Sequence, residues 1–194
     1  MVRALLAGRK TQTRRVMEPQ PVLEYGMWRW KDCQWMDNGM GFPASGIEDH
    51  APYQPGDVLW VKEVYALHLD GKTVFYRADD EKKYETDGKW QSPIHMPRWE
   101  SRINLEVVGV KVERVQNITL ADILAEGVSA DICRKCEEYY GEIVKGRCED
   151  APCSERGALA EAFVSLWDSL HKNRPGCDWD SNPWVFAYSF REIE

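Results

Sequence analysis

The chain has 194 residues, 43% hydrophobic and 29% charged, which is one globular domain's worth and excludes a disordered tail. A formal net charge of -7 argues against a generally basic nucleic-acid binder. No run approaches 18 apolar residues, so no membrane span is expected.

The first basic patch opens the chain: Arg3, Arg9, Lys10, Arg14 and Arg15 carry five positive charges with no acid among them. Such a patch binds phosphate even when the rest of the surface repels it. VRALLA predicts a short helix over 2–7, with Gly8 as its stop. MVRALLAGRK has too short an apolar stretch for a secretory leader and no small-residue cleavage site, so a cytoplasmic location is expected. There, cysteines remain reduced.

KTQTRRV then reads as a strand. Lys10, Thr13 and the arginines put hydroxyls, cations and one potential base at a helix-to-strand junction. Residues 17–52 read as a long loop insert with one hairpin near Trp28 and Trp35. YQPGD is a turn and VLWVKEVYAL a strand carrying Glu63, a carboxylate candidate. Asp70-Gly71 is a hairpin turn and TVFYRA its return strand. His95, Arg98, Trp99 and Arg102 form a second constellation. His95 is a titratable group, Trp99 offers a stacking face, and Arg98 or Arg102 offers a bidentate phosphate clamp.

Ser101 to Val115 reads as a long strand with a bulge near Gly109. Thr119 caps a helix running to Glu126, with Asp122 at the capping-box position and Gly127 as the stop. Residues 129–157 form a polar insert bearing Cys133, Cys136, Cys148 and Cys153. Two close pairs separated by eleven residues match a structural zinc site. Four thiolates leave zinc no open position for catalysis, and the insert has too few apolar residues to fold unaided. A helix follows over 158–171, with Leu159, Phe163, Leu166, Trp167 and Leu170 on its core face. PWVFAYSFREI alternates as a half-buried strand should. About five or six strands and three short helices make a small, partly open α+β barrel, a single domain over 1–194. The chain lacks HExxH, GxSxG, a complete Walker A and GxGxxG, which argues against metalloprotease, serine hydrolase, NTPase and dinucleotide-binding readings.

The Gly8–Arg15 segment resembles the signature of the ASCH family, whose fold is PUA-like. The QPGDVLWVKE run, the KWQSPIHMPRWESR run and the SNPWVFAYSF ending support the resemblance, which is to the phage and prophage members. It covers most of the chain outside 17–50 and 129–157. What it implies is a PUA-like barrel with a pocket for RNA or a modified nucleoside. Small bacterial ASCH members are amidohydrolases that deacylate N4-acetylcytidine with a lysine, a threonine and a glutamate. Carried onto this sequence, these are Lys10, Thr13 and Glu126. In these roles, neighbouring Arg9, Arg14 and Arg15 favour a neutral Lys10, which takes the Thr13 proton while Glu126 orients the amine or protonates the leaving nitrogen. Arg9, Arg14, Arg15, Glu63, His95, Arg98, Trp99 and Arg102 are the candidate binding residues. Two other readings stand beside the enzyme: a non-catalytic RNA or modified-base reader, and a phage factor that uses the zinc insert to bind a protein. A phage-encoded chain would act in the host cytoplasm.

Overall fold

The computed structural model describes residues 1–36, 47–68, 72–79, 89–128, 155–171 and 173–193. Among them the elements are α1 (Val2–Leu6), β1 (Gln12–Val16), β2 (Val22–Glu24), β3 (Met27–Trp30), β4 (Cys33–Met36), β5 (Val58–Trp60), β6 (Tyr65–Leu67), β7 (Val74–Tyr76), β8 (Asn104–Arg114), α2 (Leu120–Ala125), α3 (Glu155–His171) and β9 (Trp184–Ile193). The protein is a mixed α and β fold built on a curled, half-barrel antiparallel sheet of order β1-β9-β8-β5. None of the described helices is long and apolar enough to cross a membrane.

The sequence places β9 at the sheet's centre. Its ladder with β8 runs from Asn104↔Ile193 to Arg114↔Trp184, broken by a bulge between Val107 and Gly109. Gly109 is where the expected irregularity falls, and the extra residue, Val108, is half exposed. On its other side β9 pairs with β1 from Gln12↔Ser189 to Val16↔Val185. The expected half-buried alternation of β9 is not what the structure has. Trp184, Val185, Phe186, Ala187 and Tyr188 are all buried, because both faces of the sheet are covered.

One cover is the segment expected to be a loop with one hairpin near Trp28 and Trp35; that hairpin is present as β3–β4, with Trp28 paired to Trp35, and β2 extends it. Residues 22–36 form a three-stranded meander, β2-β3-β4, with Tyr25 and Lys31 at positive φ in its two turns. Its Trp30 and Trp35 bury themselves against Trp184 and Phe186, with ring centroids 5.5 Å apart in edge-to-face geometry. The Trp30 indole donates to Pro19 O at 2.7 Å. Scattered tryptophans read as a loop because strands this short carry no period.

The other cover is α2 and α3. Ile123, Leu159, Phe163 and Trp167 pack on Val115 and Val185. Leu166 is partly buried and Leu170 is 54% exposed, so the core stripe of α3 narrows toward its end.

The expected VLWVKEVYAL strand is broken over 61–64, and its halves join different sheets. β5 pairs with β8, whereas β6 pairs with β7 as a separate hairpin. The break lets the chain turn a barrel corner and buries Glu63. Nine strands rather than five or six are present among the described residues. The Asp70-Gly71 turn and the four insert cysteines, Cys133, Cys136, Cys148 and Cys153, lie outside them.

Trp30→Ala should detach the meander and cost about 3–5 kcal/mol, the range for deleting a buried tryptophan. Urea unfolding measures it; a loss under about 1 kcal/mol would mean that the meander does not hold the sheet.

Candidate functional site

The site begins with a capped helix. Thr119 is extended, and its hydroxyl accepts from Asp122 N at 3.2 Å while Asp122 Oδ2 accepts from Thr119 N at 3.0 Å. This is the expected capping box, and it fixes where α2 starts. The helix ends at Glu126, and Gly127 follows at φ +82°. A side chain on Gly127 would meet Ala4 Cβ and Lys10 Cβ at 2.9 Å, so only glycine lets the end of α2 lie against the α1–β1 junction. Thr11 N donates to Ala125 O at 2.8 Å, and Lys10 and Glu126 form an isolated antiparallel bridge.

That bridge brings two opposite charges together out of solvent. Lys10 is 5% and Glu126 7% exposed. Lys10 Nζ donates to Glu126 Oε2 at 2.7 Å, to Glu126 O at 3.1 Å and to Gln12 O at 2.8 Å. Three acceptors use all three donors of an ammonium.

Arg14 extends the pair into a network. Register puts Gln12 and Arg14 on the helix-covered face of β1, and Glu113 on the same face of β8, with the small Ala187 between them on β9. Arg14 Nη2 donates to Glu113 Oε1 at 2.7 Å and Arg14 Nη1 to Glu126 Oε1 at 3.2 Å. Arg14 Nη1 also donates to Gln12 Oε1, and Asp122 Oδ2 lies 3.4 Å from Nη2. Lys111 Nζ reaches the second Glu113 oxygen at 2.6 Å. Lys10, Arg14 and Lys111 thus balance Glu113, Asp122 and Glu126.

Burial would push the Asp122 carboxyl up. The hydrogen bonds from Thr119, the Arg14 charge and the Gln12 amide outweigh that and hold it below the usual carboxylate value.

The electrostatic setting expected for Lys10 therefore takes a different form. Arg9 and Arg15 are exposed and Arg14 faces carboxylates, so Lys10 sits in a balanced network rather than among repelling cations.

Thr13 lies one step along β1 from Arg14, in register with Tyr188 on the opposite face. No hydrogen bond joins it to Lys10. Thr13 and Glu126 do line one small cavity of about 30 Å³, closed on its far side by Trp167 and His171 of α3. That volume holds one or two waters, or the end of an acyl group, but not a nucleobase.

The second constellation lies elsewhere, around β5–β7, and none of its residues lines the cavity. Glu63 is 1% exposed and takes a bidentate pair from Arg102, at 2.9 and 3.0 Å. Asp79 adds a further contact at 2.6 Å, and the guanidinium lies over the Tyr76 ring. Arg102 is thus engaged by carboxylates rather than open to a phosphate. Arg98 donates to Asn104 Oδ1 at 2.7 Å and lies 5.8 Å over the half-buried Trp60 ring. His95 is exposed, and Trp99 is 84% exposed.

Sequence reasoning missed Glu113 and Gln12, and it read His171 only as a reserve zinc ligand at the end of a helix. Lys111 and Glu113 alternate with valines, which reads as a solvated strand face, and only the packing of α2 turns that face inward.

Arg14→Ala should cost about 3–5 kcal/mol, because it takes from the buried Glu113 its two guanidinium donors and from Glu126 its second cation. Chemical unfolding checks this, and a variant of wild-type stability would exclude a structural role for the network. The downward shift of Asp122 sets the sign of a pH effect. Its contribution is full above the unfolded value, about pH 4, and is lost as pH falls through the lower folded value. Thermal melts from about pH 6 down to pH 3 should decline less steeply for Asp122→Asn than for wild type; parallel curves would remove Asp122 from the acid response. Comparison with protein-family models, with curated proteins and with solved structures finds no match to this chain, so the reading of the site rests on its own geometry.

Proposed function

We propose that this chain is an ASCH-type, PUA-like protein that handles a nucleobase, and that it removes the acyl group from N4 of an acylated cytidine or a related modified nucleoside. The observation that carries this is a convergence. Lys10 and Glu126, 116 positions apart, meet at 2.7 Å out of solvent, and Glu126 shares its cavity with Thr13. These are the three residues that the family resemblance assigns to the reaction. The curled antiparallel sheet with a helix ending at the catalytic glutamate supports the PUA-like reading.

The chemistry has a balanced route. A proton passes from Lys10 Nζ to Glu126 Oε2 along their contact, leaving an amine and a carboxylic acid. Thr13 Oγ bonds to the acyl carbon as its proton goes to the Lys10 amine. The carbon–N4 bond breaks, and N4 takes the proton held by Glu126. Water then cleaves the Thr13 ester by the same proton path, releasing the acid. In this route β1 has to twist at Thr13, because its side chain lies on the face opposite Arg14, and the twist that carries its hydroxyl round to Lys10 frees a donor from Gln12 O.

A second reading, a base or RNA reader without catalysis, is favoured by the full set of Lys10 acceptors and by the exposure of Trp99 beside Arg98. There the network is structural, and Trp99 stacks the base. Under either reading Cys133, Cys136, Cys148 and Cys153 hold a structural zinc, a proposal that rests on their spacing.

The test is hydrolysis of N4-acetylcytidine by folded protein whose zinc content is measured alongside. Turnover abolished by both Thr13→Ala and Lys10→Ala is the outcome expected. Absence of turnover, with RNA binding that weakens on Trp99→Ala and survives Thr13→Ala, would replace the enzyme by the reader.

A further inference from the structure

The far wall of the Thr13 cavity is chemically equipped. It is formed by the last two turns of α3, where Trp167, Leu170 and His171 face Thr13, Arg14 and Glu126. The His171 ring stacks on Trp167 with centroids 4.3 Å apart, an i, i+4 pair that fixes the imidazole plane. Among the described residues lining the cavity, Arg14 and Glu126 belong to the ion network, and His171 is the titratable side chain outside it.

The surroundings of His171 bias where its hydrogen sits. Arg174, in the segment after α3, places Nη1 3.5 Å from His171 Nδ1. A guanidinium carries donors only, so this contact favours the tautomer in which Nδ1 presents its lone pair and Nε2 carries the hydrogen. The Arg15 charge on β1 acts on the ring, and Asp168 lies three residues back on α3. Burial, and then the Arg15 charge, hold the imidazole below its usual value against the opposing pull of Asp168. The ring is therefore neutral near neutral pH and has one hydrogen to offer.

We infer that His171 is a further catalytic residue of this site, a neutral imidazole whose Nε2–H donates to the acyl carbonyl oxygen of the substrate beside Thr13. The inference rests on the deacylase reading and deepens it. Thr13 attack moves negative charge onto that oxygen. A fixed neutral donor in a water-sized cavity stabilises the charge without giving up its proton. Proton transfer stays with Lys10 and Glu126, and the hydrogen stays on Nε2 throughout. The cavity's small volume makes the substrate a short-chain acyl group, with the base held outside at the mouth.

The experiment has two arms. The first follows the His171 ring by nitrogen NMR in Thr13→Ala protein, which cannot turn substrate over. A neutral ring with its hydrogen on Nε2 is expected at about pH 7. Its resonance should move on adding N4-acetylcytidine and stay put with cytidine. An imidazolium, a hydrogen on Nδ1, or the same response to both ligands would overturn the inference. The second arm is kinetic. His171→Ala should lower kcat about 100-fold with KM little changed, and His171→Gln, which restores an amide donor, should recover most of it. A wild-type kcat in His171→Ala removes His171 from the reaction and keeps the deacylase. A wild-type protein without turnover, whose ring still responds only to the acylated ligand, refutes the deacylase and leaves His171 as the acyl-carbonyl donor of a binding site.

Discussion

Arg14 is the interaction on which the rest of the structure depends. Its guanidinium reaches Glu113 on β8, Asp122 at the start of α2 and Glu126 at the end of α2, from a strand that pairs with neither element. A planar fork with five donors can serve three carboxylates at once, which a lysine at the same place could not. Buried ion pairs add little net stability, since desolvation offsets most of the attraction. What this one supplies is position. It allows one seating of α2 on the sheet, and that seating brings Glu126 to Lys10.

Position matters because β1 is an edge strand and Lys10 lies just outside it. Left to the ladder alone, the chain at Lys10 would be free to swing. The Gly127 contact, the Thr11 to Ala125 hydrogen bond and the Lys10–Glu126 pair fasten it on one side. The cavity then forms where the fastened strand, the end of α2 and the end of α3 come together. A site assembled from three segments far apart in sequence is rigid where it holds charge and open where it meets solvent.

Much of this is legible in the amino-acid order where the cause is local. The Thr119 capping box, the Gly127 stop, the Gly109 bulge and the helical stripe from Leu159 to Trp167 each follow from residues a few positions apart. Lys10, Thr13 and Glu126 are legible through resemblance to a family, and Arg14 and Arg15 only as a basic run. Which arginine turns inward is decided by strand parity and by what covers the face, and neither is local. The hairpin near Trp28 and Trp35 is legible, but β2 and the face the hairpin buries escape for a related reason. Trp28, Trp30 and Trp35 acquire a side to face only once Trp184 and Phe186 lie beneath them. Glu63 and Arg102 are each conspicuous in sequence, yet their pairing depends on the chain break at 61–64.

The central place of β9 has a consequence for how the chain acquires this structure. β9 is the last of the described strands, yet it pairs with β1, the first of them, and with β8. During synthesis β1 has no ladder partner, and β8 has only β5, until β9 emerges. Closing strands separated by most of the chain is slow, because the entropy of a long loop is lost before any contact rewards it. Until β9 arrives, the meander's tryptophans and the inner face of α3 have no sheet to cover, and that apolar surface is open to other chains. The last ten described residues therefore act as a timing element. Aggregation on the way to the native state is governed by how soon they become available.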